Sequence, residues 1–203
     1  MDVPFLPYSQ LKAAAAETLA NSKFGDRFPV AIEMIVERCF RMDVVPIRGL
    51  RSGFNIDAFI SQDLATISVD EYVLDNYLNR YRFSLAHELG HRVLHRDILG
   101  AMKFRSIADW KLQITQFPEK EYRILEYQAN TFANCLLVPA DQLDRRFDDA
   151  VDHIRSNGVT PSDCPDFCLD AIAAELSDQF EVSSDAILRR LTHKQEDFQS
   201  RLR

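Results

Sequence analysis

The sequence predicts an α+β protein, mainly helical, with a small antiparallel sheet packed beside one central helix and a helical hairpin or helix-turn-helix-like segment near the C-terminus. Three observations predict it. Apolar residues recur at helical spacing through most of the chain, alternating and β-branched stretches are confined to residues 44–69, and His87-Glu88-Leu89-Gly90-His91 lies inside a helical pattern directly after them.

The elements follow in order. Leu11 to Ala20 is rich in Ala and Leu and reads as a helix capped by Ser9 and ending near Gly25. Ile32, Ile35, Val36, Cys39 and Phe40 form the apolar stripe of a second helix, with Pro29 at its start. Val44 to Ile47, Phe54 to Ile60 and Ala65 to Val69 read as short strands, the last two joined through a hairpin turn at Ser61-Gln62-Asp63-Leu64. The central helix is expected over Tyr81 to His95, with Phe83, Leu85 and Leu89 turned to the core.

Asp97 to Lys120 has weak periodicity and includes Gly100, Trp110 and Pro118, which suits a lid, a specificity loop or a pair of short strands. A strong helical stripe then returns in Tyr122, Leu125, Ala129, Phe132, Ala133, Leu136 and Leu137 and stops at Pro139. Asp141 to Asn157 reads as an amphipathic helix ended by Gly158, and two apolar helices flank Glu181-Val182-Ser183-Ser184. The expected organisation is one domain over residues 1–150, holding the sheet and the central helix, with the helical segment 151–203 packed on it.

Composition narrows the function. At 203 residues and 46% hydrophobic, the chain can bury a sizeable core. Its 24 Lys+Arg against 31 Asp+Glu give a net charge of -7, which argues against coating nucleic acid or anionic membrane. The start Met1-Asp2-Val3-Pro4-Phe5 lacks the basic and apolar regions of a secretory signal, and no apolar run reaches membrane-spanning length, so a cytoplasmic location is expected. Cys39, Cys135, Cys164 and Cys168 are then expected as free thiols, and Cys164-x-x-x-Cys168, with no second pair nearby, is not read as a metal site.

His87 and His91 are four residues apart, so one helix face can aim both imidazoles at a single ion. Two neutral imidazoles and a carboxylate suit Zn2+ with a position left open for water, and Glu88, at the edge of that face, can take the water's proton. The other reading of the two histidines is a hydrogen-bonded pair on a helix that binds nothing. Three residues compete as third ligand. His95 lies a further turn along the helix, and Asp97 lies ten residues after His87 but without a glycine at position 94 to turn the chain. Glu126 lies on the next strong helix, which could pack antiparallel to the first, and is favoured. Glu121, at the start of that helix, is already explained by the helix dipole. Asn130, one turn after Glu126, can accept the free N–H of a ligating imidazole and fix its tautomer; the other reading is a solvent-facing polar residue. Tyr72, Tyr77, Tyr81, Tyr122, Tyr127 and His153 are the candidate donors to a reaction oxyanion, unranked.

The blocks Arg82-Phe83-Ser84-Leu85-Ala86-His87-Glu88-Leu89-Gly90-His91 and Glu126-Tyr127-Gln128-Ala129-Asn130-Thr131-Phe132-Ala133-Asn134-Cys135-Leu136-Leu137-Val138-Pro139 resemble the ImmA/IrrE metallo-endopeptidases, and flanking segments extend the likeness over roughly residues 28–193. The resemblance implies a zincin-like domain with zinc on His87, His91 and Glu126, Glu88 as general base, and cleavage of a DNA-binding repressor that releases stress-response or mobile-element genes. A separate reading takes Ala173 to Leu191 as a DNA-binding helix-turn-helix with Arg189 and Arg190 on its second helix. The acidic net charge and Asp185 at that helix start favour a packed hairpin instead. A third reading keeps zinc but makes the chain a metal-dependent sensor or partner-binding domain without proteolysis, against which the presence of Glu88 argues.

Overall fold

The computed structural model describes residues 3–102, 104 and 106–202. Its elements are the helices α1 (Tyr8–Ala20) and α2 (Ile32–Met34, continued by a π turn over Ile35–Cys39), strand β1 (Asp43–Ile47), helix α3 (Leu50–Phe54), strands β2 (Ala58–Ile60) and β3 (Thr66–Asp70), then α4 (Glu71–Asn76) and α5 (Leu78–Leu94). Six further α-helices follow: α6 (Arg96–Ala101), α7 (Ile107–Gln116), α8 (Glu119–Leu137), α9 (Ala140–Ser156), α10 (Pro165–Phe180) and α11 (Ser184–Leu191). The α+β class is as the sequence predicts.

The sheet is mixed, not antiparallel. Strand order is β1-β3-β2, with β2 antiparallel to β3 through the Ser61–Leu64 turn and β1 parallel to β3. The chain leaves β1 through α3 before it returns along β2, so β3 comes back beside β1 in the same direction. Residues 54–57, read as strand, are the end of α3 and its exit: Asn55 takes a left-handed conformation at φ 56° and stops that short helix. The hairpin turn holds by side-chain bonds, with Asp63 Oδ1 accepting from the Ala65 N–H at 3.1 Å and from the Ser61 hydroxyl at 2.5 Å.

Two boundaries also move, and one segment changes type. Ser9 lies inside α1, which is preceded by Pro7, and α2 begins at Ile32, past Pro29. The segment 97–120 is neither loop nor strand pair: α6 and α7 occupy most of it, and its residues Lys103 and Arg105 lie outside the described residues.

A continuous cluster of buried apolar side chains runs from Tyr8 on α1 to Leu202 and includes the inner faces of α8, α9, α10 and α11. Leu85, Ala86 and Leu89 of α5 are fully buried between the sheet, through Ile67, and α8, through Phe132, Ala133 and Leu136. Arg82, 4% exposed, anchors the start of α5 by donating to the Val30 carbonyl at 2.6 Å and pairing with Glu33 and Glu181 at 3.3 Å each. The four cysteines are free thiols, as expected.

One close approach sets the spacing between α5 and α8. A Cβ on Gly90 would stand 3.0 Å from Phe132 Cδ1 and 3.2–3.3 Å from the Ala129 backbone. A Cβ here would make Phe132 and the Ala129 backbone give by a few tenths of an ångström, so the glycine eases the close meeting of the two helices. We expect Gly90→Val to destabilise the protein by about 1–3 kcal/mol through overpacking, read as a lower denaturant midpoint. An unchanged midpoint would show that the helices can separate without cost.

Candidate metal centre

On α5, residues 87 and 91 share a face turned to a cleft of about 250 Å³, whose other walls are β2, α7 and α8. His87 Nε2 and His91 Nε2 lie 3.0 Å apart, and the Glu126 carboxylate reaches each of them at 3.5 Å. Ligand atoms arranged tetrahedrally around zinc at 2.0–2.2 Å are about 3.3–3.6 Å from one another; both carboxylate spacings of 3.5 Å fall in that range, and the imidazole pair at 3.0 Å would part by a few tenths of an ångström to admit the ion. His87, His91 and Glu126 form the group able to hold a metal ion among the described residues.

Hydrogen bonding agrees with that donor set. Asn130 Oδ1 lies 3.1 Å from His87 Nδ1, so the carbonyl accepts the proton there and leaves a lone pair on Nε2 towards the cluster. Tyr122, one turn before Glu126 on α8, donates its hydroxyl to the Glu126 carboxylate. Burial works against ionisation of Glu126, but its hydrogen bond with His91 and the neighbouring imidazoles outweigh it and hold the carboxyl below its usual range. Burial first, and then His91, push the His87 imidazole down to about 4, so it is neutral at physiological pH and free to ligate.

Glu88 is 7% exposed and lines the same cleft. Burial first, with the Glu126 carboxylate adding to it, raises its pKa to about 7, while a hydrogen bond from the Ile60 N–H works in the opposite direction. A folded-state pKa above the ordinary 4.5 means that the fold favours the protonated acid, and stability is lost as pH rises through about 7. In metal-free protein we therefore expect Glu88→Gln to be more stable than the parent at pH 8, by on the order of 1–3 kcal/mol, with little difference near pH 5. Denaturation at both pH values in chelator tests this; an equal difference at both would contradict it.

The other candidates fall outside the cluster. His95 stands behind His91, against its second ring nitrogen, and Asp97 is exposed on α6. Glu121 is half-buried on α8 and does not line the cleft. Of the six candidate oxyanion donors, Tyr122 alone lines the cleft: Tyr72 and Tyr77 are exposed and face each other, Tyr81 is buried, Tyr127 stacks on Phe5, and His153 lies on α9. Phe83, expected in the core, is half-buried and forms part of the cleft wall. Sequence reasoning missed the Ile60 N–H on Glu88 and the roof made by α7, whose Trp110 packs edge-on against Phe59 at 5.2 Å. The chain's single Trp in a weakly periodic segment was the one signal for that roof.

A His-Glu-x-x-His helix beside a small sheet, with a carboxylate supplied by a second helix, defines a metallopeptidase-like protein. Residues 74–192 match the M78 peptidase family in its IrrE N-terminal-like domain, and the chain belongs to that family. No protein of curated function gives a significant match.

Proposed function

We propose that the chain is a zinc-dependent endopeptidase that acts in the cytoplasm on a specific protein, a DNA-binding transcriptional repressor. The observation that carries the peptidase reading is the placement of the buried Glu88 carboxylate beside His87, His91 and Glu126 at the edge of β2. When bound on those three residues, zinc supplies the charge that acidifies a water and polarises the scissile carbonyl.

The chain's own residues do the rest. In the β2–β3 ladder, Asp57 and Ser61 direct their bonding groups to β3, through Asp70 N–H to Asp57 O and Ser61 N–H to Thr66 O. Ala58 therefore turns its N–H and carbonyl, and Ile60 its carbonyl, to the open edge, where an extended substrate can add as a further strand read mainly by its backbone. Phe59, Trp110 and Ile114 wall the cleft and limit water. Glu88, held by the Ile60 N–H, takes the proton of the attacking water and returns it to the leaving nitrogen.

The repressor as substrate, and with it a role in stress response and transcription regulation, is what the family resemblance implies. Among the described residues no helix is long and apolar enough to cross a membrane, which agrees with a partner in the cytoplasm. Direct DNA binding is not favoured. Arg190 is 2% exposed and donates to the Val138 carbonyl and Glu196, so one of the two cations on α11 is committed inside the fold.

The test is incubation of the zinc-loaded protein with the product of an adjacent repressor-like gene, with and without chelator, followed by mass spectrometry. One discrete cut, lost in chelator, is expected. An intact repressor removes the substrate assignment, and failure to cut any member of a peptide library as well removes the endopeptidase reading.

A further inference from the structure

His95 is 2% exposed and Gln128 1% exposed, and neither lines the cleft. Together they connect His91 to the N-terminal segment. His91 Nδ1 lies 2.9 Å from His95 Nδ1, His95 Nε2 lies 2.8 Å from Gln128 Oε1, and Gln128 Nε2 lies 2.8 Å from the Pro4 carbonyl oxygen.

The last contact decides the others. A backbone carbonyl only accepts, so the atom facing Pro4 must be the amide nitrogen; the flipped amide would press two acceptor oxygens together at 2.8 Å. Gln128 Oε1 then faces His95 and needs a donor, so His95 carries its proton on Nε2. In a neutral ring this leaves His95 Nδ1 as acceptor, and His91 must supply the proton from its own Nδ1. With Nδ1 committed to His95, His91 can take a metal only through Nε2, the atom that faces His87 Nε2 and Glu126.

We propose that Pro4, Gln128 and His95 form a proton-ordered chain that holds His91 in its metal-binding tautomer and ring orientation, with His95 and Gln128 as positioning residues. Their role towards a metal rests on the zinc reading above. The chain gives the N-terminal segment a part in the site: Val3 is 4% exposed and Phe5 stacks on Tyr127 at 6.0 Å, which keeps the Pro4 carbonyl in place over α8. His87 has a simpler arrangement, a single amide from Asn130 on the exposed side of the cleft.

The experiment has two readouts on the full-length chain. In metal-free, nitrogen-15-labelled protein, NMR is expected to place the shared proton on His91 Nδ1, with a coupling across the hydrogen bond to His95 Nδ1. Zinc competition against a chromophoric chelator is expected to show affinity about 10–100-fold weaker in Gln128→Leu and in His95→Phe, each melting as a folded protein. The proton found on His95 Nδ1, or zinc affinity within about two-fold of the parent in both folded variants, would overturn the proposal. If a variant fails to fold, the proton position in the parent decides. A parent chain that takes up no zinc would refute the proposed function, while the proton position would still decide whether the ordered chain exists.

Discussion

Glu88→Gln is expected to bind zinc as the parent does and to cleave its substrate about 10²–10⁴-fold more slowly, the usual contribution of a positioned general base. The substitution keeps the size of the side chain and an oxygen to accept the Ile60 N–H, and it leaves His87, His91 and Glu126 in place. It removes only the ability to take and return a proton. The loss should therefore fall on kcat, with KM little changed, because the proposed function has substrate held by the β2 edge and the cleft walls. Fragment formation followed by mass spectrometry reads the rate, and cleavage at the parent rate would remove Glu88 from the mechanism.

Glu126→Ala is expected to weaken zinc binding by more than about 10²-fold, since changes one shell further out already cost 10–100-fold. Glu126 is the anionic member of a set with two neutral imidazoles, and its carboxylate reaches both His87 and His91 at 3.5 Å. Cleavage should disappear with the metal and return only in part at high zinc. Calorimetric zinc titration of parent and variant provides the check. Equal affinities would mean that the ion is held by other groups.

The site was legible where chemistry coincides with helical period. Four-residue spacing turns His87 and His91 into one face, and the stripe through Leu125, Ala129 and Phe132 predicts the helix that carries Glu126 and Asn130 along one edge of that stripe. The sheet was less legible. Alternation marks which segments extend, but it does not say which edge of β3 each joins, so the parallel β1–β3 pair could not be read from it.

The misread segments are those that own tertiary context. Phe54 and Ile56 have strand-forming side chains, yet Asn55 closes a short helix there. In α7 no side chain is fully buried, because the helix covers the cleft from one side only. The contacts of His95 with His91 and Gln128 depend on how α8 and the N-terminal segment dock, which no spacing along α5 encodes.

Zinc K-edge X-ray absorption of the loaded protein tests the central claim most directly, because it reads the ligand set without reference to any substrate. The predicted shell is two imidazole nitrogens and oxygen ligands at about 2.0–2.2 Å, from His87, His91, Glu126 and water, and the same spectrum for Glu88→Gln. A sulfur shell near 2.3 Å, a third imidazole, or a changed shell in Glu88→Gln would contradict it.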